Sequence, residues 1–317
     1  MSTDINSKKL TKNAFRITKD RYKTAVRIRV PGGHLEAKYL DTIKYVAENF
    51  GDGTIHMTTR QGFEIPGIDM DKIPEVNKVI QDVIAGLEIN HTGPDTGYPA
   101  AGTRNIAACI GSRVCPFANY DTTEFARRIE KTVFPNDYHV KIALTGCPND
   151  CIKARMHDFG IIGMNEPQYD AYRCVGCQAC VKNCLKRSVG ALGFENFKVI
   201  RDKEKCIGCG ECVAKCPMGA WTRSPRKLYQ LVIMGRTGKK SPRLAQPFIK
   251  WVDEDSIVRI ITNTYGYIDA FIDKEAPGGK EHVGYIVDRT GYQEFKKWAL
   301  KDVELNPEAK VAEYINW

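Results

Sequence analysis

No stretch of this chain is apolar for anything near the ~18 residues that a bilayer-spanning helix needs. Met1 to Lys12 is polar, with neither an apolar core nor a cleavage pattern, so no secretory leader is expected. No G-x-G-x-x-G occurs in a strand-to-helix setting, which leaves no signature of a nicotinamide or flavin site. No Lys/Arg run interleaves with aromatics as a nucleic-acid face would. Acidic residues are also short, 38 against 47 basic ones, and the resulting formal charge of +9 implies an anionic partner. The expected location is cytoplasmic and reducing.

Twelve cysteines in such a compartment argue for metal ligation rather than disulfides. None of them stands outside a short cluster. Cys174, Cys177, Cys180 and Cys184 are spaced C-x2-C-x2-C-x3-C, and Cys206, Cys209, Cys212 and Cys216 repeat that spacing 32 residues later. Pro217 follows the second run, whereas Leu185 follows the first. The doubled run is the bacterial ferredoxin signature, in which the fourth cysteine of each run ligates the other cluster. One [4Fe–4S] cluster would then use Cys174, Cys177, Cys180 and Cys216, and the other Cys206, Cys209, Cys212 and Cys184. Paired zinc sites are the competing use of C-x2-C, and three cysteines at successive x2 spacing, twice, speak against them.

The other four cysteines, Cys109, Cys115, Cys147 and Cys151, are spaced C-x5-C and C-x3-C, which taken alone also suits a zinc site of four thiolates. Cys147 and Cys151 lie in Thr145-Gly146-Cys147-Pro148-Asn149-Asp150-Cys151. Pro148 suits the first position of a helix, and Cys147 would sit at that helix's positive end, favouring thiolate. The preceding run from His139 to Leu144 alternates like a strand.

At 317 residues two or three domains are expected. Residues 1–16 read as a loose arm. From 17 to 90 a small α/β unit follows: a strand at Val26, Ile28 and Val30, a helix from Leu35 to Phe50, strands at Ile55–Met57 and Phe63–Ile65, and a helix from Ile73 to Leu87 with Asp71 as its cap. Residues 91–167 carry a Gly- and Pro-rich loop, a helix after Asp121, and the strand and turn just described. The cysteine repeat fills 168–222. Residues 223–317 resume a globular pattern: a strand from Leu228 to Met234, a basic loop at 235–243, a helix from Ile257 to Ile272 and an amphipathic piece from Tyr285 to Leu300.

The pattern of the four outlying cysteines, with Thr-Gly-Cys-Pro-Asn-Asp-Cys, closely resembles the cluster site of the sirohaem-dependent sulfite and nitrite reductases. Thr58-Thr59-Arg60-Gln61, Arg104-Asn105 and the loop Gly-Arg-x-Gly-Lys-Lys-x-Pro-Arg at 235–243 resemble further motifs of that family. The resemblance runs over about residues 20–317, and the ferredoxin insertion is similar to that of the dissimilatory and anaerobic members. It implies an α+β protein: a ferredoxin-like N-terminal domain, a sirohaem/[4Fe–4S] domain in two parts, and an inserted two-cluster ferredoxin domain.

By that resemblance Cys109, Cys115, Cys147 and Cys151 hold a third [4Fe–4S] cluster, Cys151 bridging it to the sirohaem iron. Arg60, Arg104 and Lys141 become substrate cations, and His139 stands where the family has a second lysine. His139 is expected as a proton donor or anion contact titrating near neutral pH, against a purely structural histidine. Thr103, Asn105, Arg113, Arg236, Lys239, Lys240 and Arg243 are expected to meet sirohaem and its carboxylates.

The implied reaction is sulfite to sulfide. Electrons would come from a flavin/NADH subunit and a further iron–sulfur subunit, and the single copy of the reductase pattern leaves a homodimer open. Three rivals stand beside this reading: an ammonia-forming nitrite reductase, a pure iron–sulfur electron-transfer subunit, and a zinc-stabilised nucleic-acid binder.

Overall fold

The computed structural model describes residues 13–91, 93, 96–238, 240–276 and 281–316. It is a mixed α/β chain that divides into two compact units, each discontinuous in sequence.

The first unit draws on Met1–Ala108, Thr123–Ile142 and Ile261–Ala299. Its four-stranded sheet contains β1 (Phe15–Ile17), β2 (Lys23–Ile28), β3 (His56–Met57) and β4 (Phe63–Asp69), in the order β1-β2-β4-β3. All three pairings are antiparallel. Alternation places Val26 and Ile28 in the core with Ile65 and Ile68. Against them pack Ile43, Val46 and Ala47 of α1 (Tyr39–Asn49), Val76 of α2 (Ile73–Val79), and Val83 and Ile84 of α3 (Gln81–Gly86).

Three expectations change here. Of the arm at 1–16, residues 1–12 lie outside the described residues, whereas Phe15 is fully buried in an edge strand because its ring completes this core. The helix expected from Ile73 to Leu87 is two helices, because Ile80 leaves helical geometry at ψ 4°. Asp71 does not cap it, since it lies in the 3₁₀ turn Met70–Lys72 that precedes α2.

The second unit draws on Cys109–Thr122, Ala143–Ile260 and Leu300–Trp317. Its main strands are β6 (Ile142–Thr145), β7 (Phe159–Met164), β12 (Leu228–Ile233), β13 (Gln246–Val252) and β14 (Lys310–Val311), lying in the order β14-β13-β12-β7-β6. (The two-residue β5, Ala107–Ala108, belongs to the first unit.) Every residue of β6 and β7 is buried, as expected of strands covered on both faces. The strand β13, unanticipated from sequence, pairs with β12 across two register shifts.

Inserted between β7 and β12 is a segment closed by a stem, β8 (Pro167–Tyr169) paired with β11 (Trp221–Arg223). It contains α5 (Ala179–Arg187), the hairpin β9 (Leu192–Glu195) and β10 (Lys198–Arg201), and α6 (Glu211–Lys215).

The remaining helices are α4 (Thr122–Val133), α7 (Glu254–Phe271), α8 (Val283–Thr290) and α9 (Tyr292–Ala299). The amphipathic piece expected over 285–300 is broken at Gly291, whose φ is 89°. Ile261–Ala299 groups with the N-terminal residues in the first unit, whereas the rest of 223–317 falls in the second.

Candidate functional site

Arg60 stands in a turn between β3 and β4 that is fixed from several directions. Thr58 N–H donates to the Gly62 carbonyl at 2.8 Å, Gln61 N–H to the Thr58 carbonyl at 3.0 Å, and Gly62 N–H to Thr58 Oγ1 at 3.0 Å. Gln61 adopts a left-handed φ of 64°, and its amide both donates to and accepts from the Ala108 backbone at 2.8 Å. Asn105 Nδ2 donates to the Arg60 carbonyl at 2.6 Å and to the Val30 carbonyl at 2.9 Å. The long, flexible side chain is therefore launched from a rigid base.

Beside it lies a cavity of about 250 Å³ lined by Arg16, Arg27, Arg29, Arg60 and Arg104, with Glu64 as its one carboxylate. Glu64 pairs with Arg27 and, at 3.3 Å, with Arg16. Burial pushes the Glu64 carboxyl up, but the Arg27 guanidinium outweighs it and the net shift is downward. Arg104 is pulled down to about 10, first by burial and then by repulsion from Arg27, Arg60, Arg29 and Arg16. Five guanidiniums around one carboxylate make a site that gains by taking up an anion.

Arg29 is only 5% exposed and serves the frame rather than the cavity mouth. It pairs with Glu130, donates to the carbonyls of Thr103 and Arg104 at 2.9 Å each, and lies 3.8 Å over the Phe134 ring. It thereby fixes the backbone that carries Arg104.

His139 and Lys141 precede β6 rather than lying in it, but the alternation holds: Val140 is fully buried while both neighbours are half-buried. Arg104 N–H donates to the Val140 carbonyl at 2.9 Å, tying the two segments together. The His139 ring meets His282 edge to face at 4.1 Å. Its pKa is driven down to about 2, first by burial and then by Arg104, His282, Lys141 and Arg60. Burial among cations thus favours a neutral imidazole, below the near-neutral titration expected of His139. Its Nδ1 is buried without a hydrogen bond among the described residues. Arg104, Lys141 and Arg60 are all near enough to His139 to disfavour its charged form.

The expected cofactor contacts divide. The Thr103 hydroxyl, 1% exposed, bonds internally to Tyr265 Oη at 2.7 Å and to the Tyr138 carbonyl at 3.3 Å. Asn105 acts as described, while its Oδ1 is buried with no hydrogen bond among the described residues. Arg113 pairs with Asp121 at 3.8 Å. Arg236 and Arg243 close the basic loop as an antiparallel bridge, with Arg236 Nε donating to the Ser241 carbonyl at 2.9 Å and Arg243 Nε to the Met234 carbonyl at 3.1 Å. Lys240 is on that loop, and Lys239 lies outside the described residues.

Cys109, Cys115, Cys147 and Cys151 gather in the second unit. Burial raises the Cys147 thiol, the Asn149 backbone N–H opposes that, and Cys115, Cys151 and Cys109 are near enough to add to the rise. Gly146 N–H donates to Cys109 Sγ at 3.1 Å. A Cβ on Gly146 would come within 2.5 Å of Ala118 Cβ, and one on Gly163 within 2.5 Å of the Gly146 carbonyl, so both glycines serve close approach.

Cys147-Pro148-Asn149-Asp150-Cys151 does not start a helix. Asp150 and Lys153 take φ of 49° and 58°, and Asp150 accepts from Ala154 N–H at 2.6 Å, which turns the chain instead. Cys147 therefore gains nothing from a helix dipole. Four thiols around tight turns nonetheless fit a soft metal cluster held by cysteine.

In the insert, a second cavity is lined by Cys174, Cys177, Cys180 and Cys216 with Trp221, which is the interleaved set. Cys184 lies within electrostatic reach of Cys206, beside Cys209. Gln178 and Gly210, 32 residues apart, open α5 and α6 in the same left-handed conformation. The copies differ where their sequences do. Pro217 holds Cys216 extended at φ −77° and ψ 112° and ends α6, whereas Leu185 lets α5 run on to Arg187.

Sequence reasoning missed Arg16, Arg27, Arg29 and Glu64. A signal is present in Arg27 and Arg29, which alternate with Val26, Ile28 and Val30, but the same alternation suits a solvent face equally well. His282 carries no local signal.

Residues 100–306 match the nitrite and sulphite reductase 4Fe-4S domain, and residues 16–83 the nitrite/sulfite reductase ferredoxin-like half domain. The chain is 45% identical over 326 aligned positions to a subunit of the anaerobic sulfite reductase of Salmonella typhimurium, covering 100% of this chain and 95% of that protein. It is 29% identical to the coenzyme F420-dependent sulfite reductase of Methanocaldococcus jannaschii, over 85% of this chain and 41% of that protein. Among solved structures, dissimilatory sulfite reductase I shares the fold with a TM-score of 0.68 at 17% identity, covering 96% of this chain and 77% of that one.

Proposed function

The chain belongs to the nitrite and sulphite reductase family, and from that premise we propose that it is the catalytic subunit of an anaerobic sulfite reductase. The observation that carries the reading is the full-length 45% identity to a subunit of such an enzyme. The arginine cavity supports it, because sulfite is a small anion whose oxygens must be gripped and protonated as they leave.

In this reading Cys109, Cys115, Cys147 and Cys151 hold a [4Fe–4S] cluster coupled to sirohaem through Cys151. The module at 168–222 holds two more clusters on the interleaved cysteine sets. Sirohaem is a macrocycle that carries a ring of carboxylates, and Arg113, Arg236, Lys240 and Arg243, in the same unit as the four cysteines, would meet that charge. When bound, sirohaem and its cluster would supply the electrons for the reduction. Arg60, Arg104 and Lys141 neutralise the sulfite oxygens and stabilise charge as S–O bonds break. A neutral His139 donates one hydrogen bond and becomes a proton carrier only as anion uptake offsets the cations around it.

The family's six-electron reduction requires donors, and we propose a flavin/NADH subunit and a further iron–sulfur subunit. Homodimerisation remains part of the proposal, and the cytoplasm is its proposed location. Among the described residues no helix is long and apolar enough to cross a membrane.

The test is an absorption spectrum of the purified protein, with iron and acid-labile sulfide, followed by turnover of sulfite and nitrite from an artificial donor. Sirohaem bands and faster sulfite turnover are expected. Iron–sulfur absorption without sirohaem would leave only an electron-transfer subunit.

A further inference from the structure

Resting on the two-cluster reading of 168–222, we propose that Trp221 and Tyr169 are hydrogen-bond donors to the cluster held by Cys174, Cys177, Cys180 and Cys216, and that they raise its reduction potential. Three independent placements carry this. First, Trp221 and Tyr169 are direct register partners in the stem β8–β11. Their rings stack at 4.6 Å with 30° between planes, so the stem presents both from one side.

Second, Trp221 is a wall of the cavity formed by those four cysteines. It is 4% exposed, and its indole N–H makes no hydrogen bond of ordinary geometry among the described residues. A buried N–H without an acceptor costs about 1–3 kcal/mol, a cost that an anionic cluster sulfur would remove. Trp221 and Cys180 are both buried members of one packed cluster and both line that cavity. Third, the Tyr169 hydroxyl accepts from Val199 N–H at 3.1 Å, which leaves its own proton to donate, and its ring packs against the same cluster as Cys174.

One stem thus brings two neutral side-chain donors to the four-cysteine pocket. On the other run, the side-chain group at a thiol is the Ser188 hydroxyl, 3.3 Å from Cys209. The redox step is one electron taken from the donor, with the cluster core passing from 2+ to 1+ and no bond made or broken. Added negative charge strengthens each N–H···S and O–H···S bond, so donors favour the reduced state. The pair therefore biases this cluster to take electrons.

The experiment is an EPR-monitored redox titration of the full-length protein and its Trp221→Phe and Tyr169→Phe variants, each with iron and acid-labile sulfide counted. Trp221→Phe is expected to lower one cluster's reduction equilibrium constant roughly tenfold, ~59 mV for one electron. Tyr169→Phe is expected to move the same cluster in the same direction by less, with the other clusters unmoved. A full iron count with unshifted potentials overturns the inference.

Should Trp221→Phe lose the cluster by misfolding, the unaltered protein still decides. ENDOR of the reduced clusters must show a strongly coupled proton signal that exchange into D2O removes and that Tyr169→Phe leaves in place, and its absence sinks the idea. An unaltered protein short of the iron for two clusters at 168–222 overturns the underlying reading instead.

Discussion

Asn105 holds Arg60 by its main chain, Nδ2 donating to the Arg60 carbonyl at 2.6 Å while the same nitrogen reaches Val30 at 2.9 Å. The contact uses none of Arg60's own donors, so it fixes the base of the side chain without competing for the guanidinium. Replacing Asn105 with Ala should lower kcat/KM for sulfite about tenfold, ~1.4 kcal/mol of transition-state binding. Arg60→Ala should lower it about a hundredfold. The double variant should be no worse than Arg60→Ala, because Asn105 acts through Arg60. Losses that simply add would show that Asn105 acts on its own.

The buried pair of Arg29 and Glu130 makes a stability prediction. Both side chains are nearly inaccessible, at 6% and 4% exposure. Glu130→Gln strands a guanidinium in the core, and breaking such a pair costs about 3–5 kcal/mol. The urea midpoint should fall accordingly at an unchanged slope. An unmoved midpoint would mean that Arg29 finds compensation elsewhere.

His139 links stability to pH. Its pKa falls from 6.5 to about 2 on folding, burial being the main cause. Below 6.5 the unfolded chain binds a proton that the folded chain refuses, so stability is complete above that value and declines as pH falls toward 2. The slope approaches about 1.4 kcal/mol per pH unit, or roughly 2 kcal/mol by pH 5. His139→Gln should remove this part of the acid sensitivity, seen as a flatter plot of denaturation midpoint against pH between 6.5 and 5. An identical slope in the variant would show that the imidazole is protonated in the folded state.

How much of this was legible in the sequence depended on range. Cys174 to Cys216 carry their chemistry in local spacing. Strands such as Leu228–Ile233 were readable because burial on alternate or both faces leaves an apolar pattern. What escaped were groups whose role depends on distant partners. Arg29 looked like a solvent residue because nothing near it announces Glu130, 101 positions away. The turn at Cys147–Cys151 misled because Pro148 promises a helix, while the left-handed Asp150 and its bond to Ala154 N–H prevent one. Thr103 faces Tyr265, 162 positions away, which local sequence could not reveal.

Interleaving of the two cysteine runs gives the last prediction. Cys216 shares a cavity with Cys174, Cys177 and Cys180, although it closes the other run by sequence. Cys184 is placed toward Cys206. Spacing alone would equally allow each run to close on itself, with Cys184 serving the first cluster. The two arrangements differ in which losses coincide. With interleaving, Cys216→Ala and Cys177→Ala should abolish the same EPR signal, each with up to about four irons lost, while Cys184→Ala should abolish the signal that Cys209→Ala removes. If Cys184→Ala and Cys177→Ala erased the same signal instead, each run would be holding its own cluster. The pairing matters for electron flow, because a cysteine at the end of each run that serves the other cluster ties the two clusters together through α5 and α6.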